Sequence, residues 1–442
     1  MNADQLVTLG VLAAVVVALI ADKVRSDVVA LTGAAVLLMT GVVRPVEVEG
    51  AFASPAIIAL AALFVIAYAM ELSGLLDSAI RGVTRLCRWI GASGLWIVVM
   101  LAGAISAFLN NTPIVVLSAP VVRDAARSLG LSPKRFLIPL SYAAVLGGCC
   151  TLIGTSTNLL VSDMAAIAGQ PRFGMFEASP VGVAVAIAGA VYLVLFSGRM
   201  VRSEAKGSAS TAGSAAALDD PSLAEPGLAG GQMGSSKAFA AVQAFKPLKA
   251  LASLLVFVAV VALAALNVAP IAACAFAGAV LLILIRVITA DEAYRGLRPE
   301  VLMLIAGMVV LGTALEKTGL AAAATTGLIR SLDGVDPVVA LVVLYGVTLF
   351  ATELLSNATV AVLLTPIAVS LAEALGVDAR PFLVAVMIAG SAAFATPFGY
   401  QTNTLVYQMG GYNYLDFIRI GIPLNLLTWA VGVTAILAYF PF

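Results

Sequence analysis

Apolar runs long enough to cross a hydrocarbon core of about 30 Å recur along the chain, near residues 5–22, 27–43 and 54–72, then again near 248–267, 270–287 and 299–315. Single runs also cover about 178–198 and 419–440. Each predicts a helix, because at membrane depth a helix satisfies its own backbone groups. The charged, proline-containing stretch between the second and third runs reads as a loop. Two further runs are interrupted by polar residues: Leu95 to Val122 at Asn110-Asn111-Thr112-Pro113, and 338–375 at Ser356-Asn357-Ala358-Thr359. After each comes a second interrupted helix, over about 136–168 with its break near Gly154 to Asn158, and over about 381–410 with its break between Ala395 and Asn403.

The recurrence of these elements in the same order predicts a duplication. Asn111 precedes Pro120 by the same spacing that separates Asn357 from Pro366. The 28 residues from Leu95 to Val122 leave about 14 per arm, or about 21 Å at 1.5 Å per residue, which is short for two crossings. A re-entrant hairpin over about 92–129 is therefore expected. The arms of the second pair read as longer, about 18 residues, and its hairpin, about 338–375, follows from symmetry. Five true crossings per half would set the second half upside down, as an inverted repeat. The expected organisation is a first repeat over 1–202, a flexible Gly-, Ala- and Ser-rich cytoplasmic linker over 203–247, and a second repeat over 248–442.

Charge supports that orientation. An external N-terminus leaves only Arg44, Arg172, Lys317, Arg330 and Arg380 of the 24 basic residues outside. The N-terminal segment carries neither a basic n-region nor a small-residue cleavage site, so the first run reads as a retained span. Composition then fixes the class. With 62% hydrophobic and 11% charged residues, the chain reads as an all-α polytopic protein of the plasma (inner) membrane, embedded in the lipid bilayer. Net charge is zero and no basic stripe exists, so nucleic acid is not an expected partner. There is no histidine, no zinc-type cysteine spacing and no intramembrane nucleophile motif, so neither an enzyme nor an organic cofactor is expected. Cys87, Cys149, Cys150 and Cys274 read as free thiols.

The breaks carry the candidate chemistry. Helix N-termini present unpaired N–H groups that suit anions, and C-terminal carbonyls suit small hard cations. Asn110, Asn111, Thr112, Thr155, Ser156, Thr157 and Asn158 in the first half are matched by Thr352, Ser356, Asn357, Thr359, Thr396, Gln401 and Asn403 in the second. All are neutral, with hard oxygens of the kind that bind Na⁺. An anion held here would rely on backbone dipoles and on the bound cation, so the two would depend on one another. Glu353, an ionisable group at depth, is a further candidate, either as a functional group or as a helix cap.

These motifs resemble the divalent anion:sodium symporter family of the ion transporter superfamily. Its Ser-Asn-Thr signatures are similar to Asn110-Asn111-Thr112 and Ser356-Asn357-Ala358. Its Gly-Thr-x-x-Asn loops are similar to Gly154 to Asn158 and, with an insertion, to Ala395-Thr396-Pro397 through Asn403. The stretch from Ala395 to Tyr412 resembles the branch that handles sulfate and other sulfur oxyanions, whose members commonly carry soluble regulatory domains of the RCK type; the linker here is too short for them. The resemblance implies an elevator-type homodimer, with one sodium near Ser106, Asn110, Asn111 and Gly154 and another near Thr352, Leu355, Ser356, Asn357 and Ala395. It implies substrate contacts from Asn110 to Thr112, from Thr155 to Asn158, from Ser356 to Thr359, and from Thr396, Pro397 and Asn403. Asn110 and Ala358 depart from the usual Ser and Thr, and the missing hydroxyl at 358 favours a compact divalent oxyanion such as sulfate over a long dicarboxylate. A dicarboxylate symporter, and a Na⁺/H⁺ antiporter or arsenite-type permease with Glu353 as proton carrier, are the alternatives on the same scaffold.

Overall fold

The computed structural model describes residues 2–21, 23–75, 78, 82, 91–197, 245–266, 268–321, 323 and 336–442. The predicted linker lies almost wholly outside them, as does Cys87. Among the described residues every regular element is helical. The first nine α-helices are α1 (Ala3–Ala21), α2 (Ser26–Met39), α3 (Pro45–Phe52), α4 (Pro55–Leu72), α5 (Ala92–Ser106), α6 (Asn111–Ser128), α7 (Lys134–Gly148), α8 (Ser156–Ile167) and α9 (Ser179–Tyr192), the last prolonged by a π-helical turn over Leu193–Ser197. The same order recurs as α10 (Pro247–Ala265), α11 (Ile271–Leu284), α12 (Ala290–Gly296), α13 (Pro299–Lys317), α14 (Pro337–Ala351), α15 (Asn357–Leu375), α16 (Arg380–Ala389), α17 (Gln401–Gly410) and α18 (Tyr414–Tyr439). Six helical segments, Pro45–Leu72, Ser179–Ser197, Pro247–Ala265, Pro299–Lys317, Asn357–Leu375 and Tyr414–Tyr439, are long and apolar enough to cross a membrane.

Local chemistry starts these helices where they start. Ser54 accepts from the Ile57 N–H at 3.3 Å ahead of Pro55, and Asp336 accepts from the Val338 N–H at 2.7 Å ahead of Pro337, so each cap precedes a proline whose missing donor costs nothing in the first turn. The stretch between the second and third spans is not a loop. Glu47 accepts from the Arg44 N–H at 2.7 Å, which caps the short helix α3. Thr289 and Glu292 build a reciprocal capping box that starts α12, its counterpart, where no helix was expected. The two hairpins also have similar arms, 15 and 18 residues in α5 and α6 against 15 and 19 in α14 and α15. Counting only the apolar run shortened the first pair, because α6 continues past Val122 through the polar turn that contains Arg123, Asp124 and Arg127.

The two halves share one core. Helix α2 packs on α13, and its counterpart α11 packs on α4; α9 packs on α18; α8 packs on α15, and its counterpart α17 packs on α6. Each half therefore buries its apolar faces against the other, and neither half completes the core by itself. Within a half, glycine permits the closest approach. A Cβ at Gly147 in α7 would fall onto the Gly103 carbonyl oxygen of α5, whereas one at Gly10 in α1 would meet nothing within 4 Å. Gly147→Ala should accordingly lower the thermal midpoint of the purified protein, because rigid backbone must move, while Gly10→Ala should leave it unchanged or raise it, the gain in helix propensity being worth up to about 1 kcal/mol. Equal midpoints for the two variants would contradict this packing.

Candidate functional site

The first tip is built on α5, α6 and the loop between α7 and α8. Asn110 caps α6, its side-chain oxygen accepting from the Thr112 N–H at 3.3 Å. The Ser106 hydroxyl donates to Asn111 Oδ1 at 2.5 Å, and both side chains are buried. Gly148 and Gly154 give this cluster its room: a Cβ at Gly148 would stand 2.7 Å from Asn111 Oδ1, and one at Gly154 would lie 2.8 Å from the Ala107 carbonyl oxygen and closer still to that of Gly148. Thr151 donates to the same Ala107 carbonyl and accepts from the Gly154 N–H at 3.2 Å. Asn158 donates to the Thr151 carbonyl at 2.9 Å, which leaves its Oδ1 buried with no partner among the described residues.

The second tip repeats the first. Thr352 donates to Asn357 Oδ1 at 2.8 Å, as Ser106 does to Asn111, and also lies 2.9 Å from the Gly390 carbonyl oxygen. Ser356 caps α15, accepting from the Thr359 N–H at 3.3 Å, and pairs with the Thr359 hydroxyl at 2.7 Å. Glu353 turns away from the tip into the loop after α16. Its Oε1 accepts from the backbone N–H groups of Phe394 and Ala395 at 2.8 and 2.7 Å and from Asn425 Nδ2 at 2.7 Å; its Oε2 accepts from the Thr396 N–H and hydroxyl, both at 2.9 Å. All five are donors, so the carboxyl acts purely as an acceptor and holds an irregular loop whose backbone donors would otherwise be unpaired at membrane depth.

The two loops match without an insertion, contrary to the sequence reading. Gly399 N–H donates to the Thr396 hydroxyl at 3.0 Å as Gly154 does to Thr151, and Asn403 donates to the Thr396 carbonyl at 3.2 Å as Asn158 does to Thr151. The shared pattern is Thr-x-x-Gly-x-x-Thr-Asn, running from Thr151 to Asn158 and from Thr396 to Asn403. The breaks themselves run from Cys149 to Thr155 and from Gly390 to Tyr400, so Ser156, Thr157 and Asn158 lie in the first turn of α8. In this register Thr155 stands where Tyr400 stands, and Ser156 where Gln401 stands. Both residues of the second loop reach the first tip: Asn111 Nδ2 donates to the Tyr400 hydroxyl at 2.8 Å, and the Thr112 hydroxyl donates to Gln401 Oε1 at 3.3 Å. On the other side Thr157 Cγ2 approaches Gly390, the residue that Thr352 contacts. All four breaks thus meet.

Not every candidate faces open space. Asn403 spends both ends of its amide on the protein, its oxygen lying 2.7 Å from the Ser141 hydroxyl and its nitrogen 2.9 Å from the Ala393 carbonyl oxygen. Thr157 and Pro397 are buried, the Thr155 and Thr157 hydroxyls lie 3.5 Å apart, and Leu355 and Ala358 are half-buried at the second tip. The tips differ in cover. Phe108, Ile153, Asn110, Gly154 and Ser156 line a cavity with Leu60, Leu63 and Phe64 of α4. At the second tip Leu354 and Phe398, the counterparts of Phe108 and Ile153, are 78% and 66% exposed, and Ser356 and Gln401 are exposed too. Cys149, Cys150 and Cys274 are free thiols.

A bundle of apolar helices whose irregular segments gather buried neutral polar groups into one cluster is the architecture of a membrane transporter. The chain belongs to the citrate transporter (CitMHS) family, whose model matches residues 16–389. An uncharacterized transporter, sll0640, of Synechocystis is 25% identical over 98% of this chain and 97% of the relative. That alignment runs over 596 positions, more than the 442 residues here, so this relative carries residues that the chain lacks. Probable sodium/sulfate cotransporter 3 of Chlamydomonas reinhardtii is 43% identical over 26% of this chain and 13% of that protein. Among solved structures, the YdaH transporter of Alcanivorax borkumensis aligns with a TM-score of 0.58 at 14% identity, over 88% of this chain and 86% of that one, which shows a shared fold.

The Glu353 geometry yields a direct expectation. Glu353→Gln presents an NH₂ group to backbone donors, so at least one N–H loses its acceptor, and the thermal midpoint should fall by an amount equivalent to about 1–3 kcal/mol per group left unpaired. An unchanged midpoint would contradict the assignment of Glu353 to the loop.

Proposed function

We propose that the chain is a sodium-coupled symporter that imports a small divalent oxyanion, sulfate before others. The observation that carries this is the meeting of four helix breaks around neutral hydroxyls and amides, with no Lys or Arg among the candidate residues. An anion in such a place is held by N–H groups at helix starts and by a cation beside it. In this reading the cations sit near Ser106, Asn110, Asn111 and Gly154, and near Thr352, Leu355, Ser356, Asn357 and Ala395. The anion lies between Thr112, the Thr155 to Asn158 turn, Ala358, Thr359 and Thr396. The similarity to the algal probable sodium/sulfate cotransporter 3 supports the pairing of ions.

Energetics motivates the coupling. Carrying two negative charges inward against 100 mV costs about 4.6 kcal/mol, at about 2.3 kcal/mol per charge. Two co-transported Na⁺ cancel that, and their concentration gradient drives uptake. The unequal cover of the tips supports one-sided access: the site is reached past Leu354 and Phe398, while the first tip is sheltered by α4. The reciprocal packing of the two halves supports an inverted repeat; to this the reading adds, from the family resemblance and the distribution of basic residues, a cytoplasmic linker, an N-terminus external to the plasma membrane and an elevator motion in a homodimer. A proton exchanger is disfavoured, because all five partners of the Glu353 carboxyl are donors, and a proton on either oxygen would displace at least one of them.

In proteoliposomes, labelled sulfate should accumulate under an inward Na⁺ gradient and labelled succinate should not. Asn111→Ala and Asn357→Ala should each abolish that uptake while the protein still reaches the membrane. Sulfate uptake indifferent to the Na⁺ gradient would refute the coupling, succinate uptake would refute the oxyanion, and normal transport by both variants would refute the site.

A further inference from the structure

Asn111 has one orientation in which it can serve a cation. Its amide offers an acceptor at one end and only donors at the other, so a 180° turn would face N–H groups toward the ion. In the structure Oδ1 is turned to Ser106 and Gly148, with the Gly154 turn next to Gly148, and Nδ2 is turned to the Tyr400 hydroxyl at 2.8 Å. That phenol belongs to the other half of the chain. We propose that Tyr400 is the positioning residue of the first-tip sodium site, fixing the Asn111 amide with its oxygen toward the cation.

The proposal rests on the sodium reading above and extends it, because it makes the two cation sites unequal. Tyr400 occupies the loop position held by Thr155 in the first half, so the position that corresponds to it carries a hydroxyl on a much shorter side chain, whose hydrogen-bond partner is Thr157 at 3.5 Å rather than Asn357. Asn357 Oδ1 is held by Thr352 at 2.8 Å, as Asn111 Oδ1 is by Ser106, but among the described residues nothing accepts from Asn357 Nδ2. The first site is therefore set by a bond across the halves before any ion arrives, and the second is not. A plain interhelical bond would account for the contact itself, since such bonds hold many membrane helices together. It would not account for a dependence of Na⁺ affinity on the phenol.

The test uses the full-length protein in detergent without sulfate, titrated with NaCl against choline chloride at constant ionic strength, with the thermal midpoint as readout. Tyr345→Phe, which removes a buried phenol that donates to the Thr428 carbonyl at 3.0 Å away from the tips, serves as the control. Tyr400→Phe should raise the Na⁺ concentration for half-maximal stabilisation by about five- to tenfold, the value of one orienting hydrogen bond. Tyr345→Phe should lower the Na⁺-free midpoint and leave the Na⁺ dependence in place. A Tyr400→Phe protein with the wild-type Na⁺ dependence overturns the proposal alone, and so does an equal shift in both variants. A wild-type protein with no response to Na⁺ removes sodium coupling and this proposal together.

Discussion

An irregular backbone at membrane depth must find every partner inside the protein, and this constraint organises the structure. Each half interrupts two helices, and several of the groups set free are taken up by a neighbouring break. Ala107 at the end of α5 is held by Thr151, the loop after α16 by Glu353, and Gly390 by Thr352. Tyr400 and Gln401 then tie the second loop to the first tip. The breaks therefore support one another, with further partners from Ser179 on the Cys150 carbonyl and from the Met175 carbonyl on the Leu152 N–H.

Much of this was legible in the chain. Long apolar runs mark the helices that pack and cross, and Asn-Thr-Pro and Ser-Asn-Ala mark the tips, because a polar cluster inside an apolar run is too costly at membrane depth unless it faces partners or a site. Other features escaped. The short helices α3 and α12 are too polar to register as spans, and their caps, Glu47 on Arg44 and Glu292 on Thr289, are visible only when capping boxes are sought. Anchoring the second loop on Ala395-Thr396 rather than on Thr-x-x-Gly-x-x-Thr-Asn produced a spurious insertion. The correct register was present in the sequence, and it would have pointed to Tyr400. The role of Glu353 was not, since nothing local announces that its five partners come from Phe394 to Thr396 and from Asn425.

In the proposed function the site is a place for opposite charges held without fixed basic groups. Helix starts capped by Asn110 and Ser356 supply N–H groups, and among the described residues the buried Asn158 Oδ1 has no partner, which a cation could supply. Without a Lys or Arg, affinity for an anion rests on backbone dipoles and on the cation beside it. In the proposed reading this imposes a strict condition, because neither ion would be well held when the other is absent. The condition is also the basis of coupling, since a carrier that binds the two only together moves them only together.

The most direct test of this account is equilibrium binding of labelled sulfate to the purified protein across a series of Na⁺ concentrations, with choline keeping ionic strength constant. The account predicts that sulfate binding is weak without Na⁺ and tightens steeply as Na⁺ rises, with Na⁺ binding tightened by sulfate to the same degree, as linkage requires. Sulfate affinity that is independent of Na⁺ would contradict it.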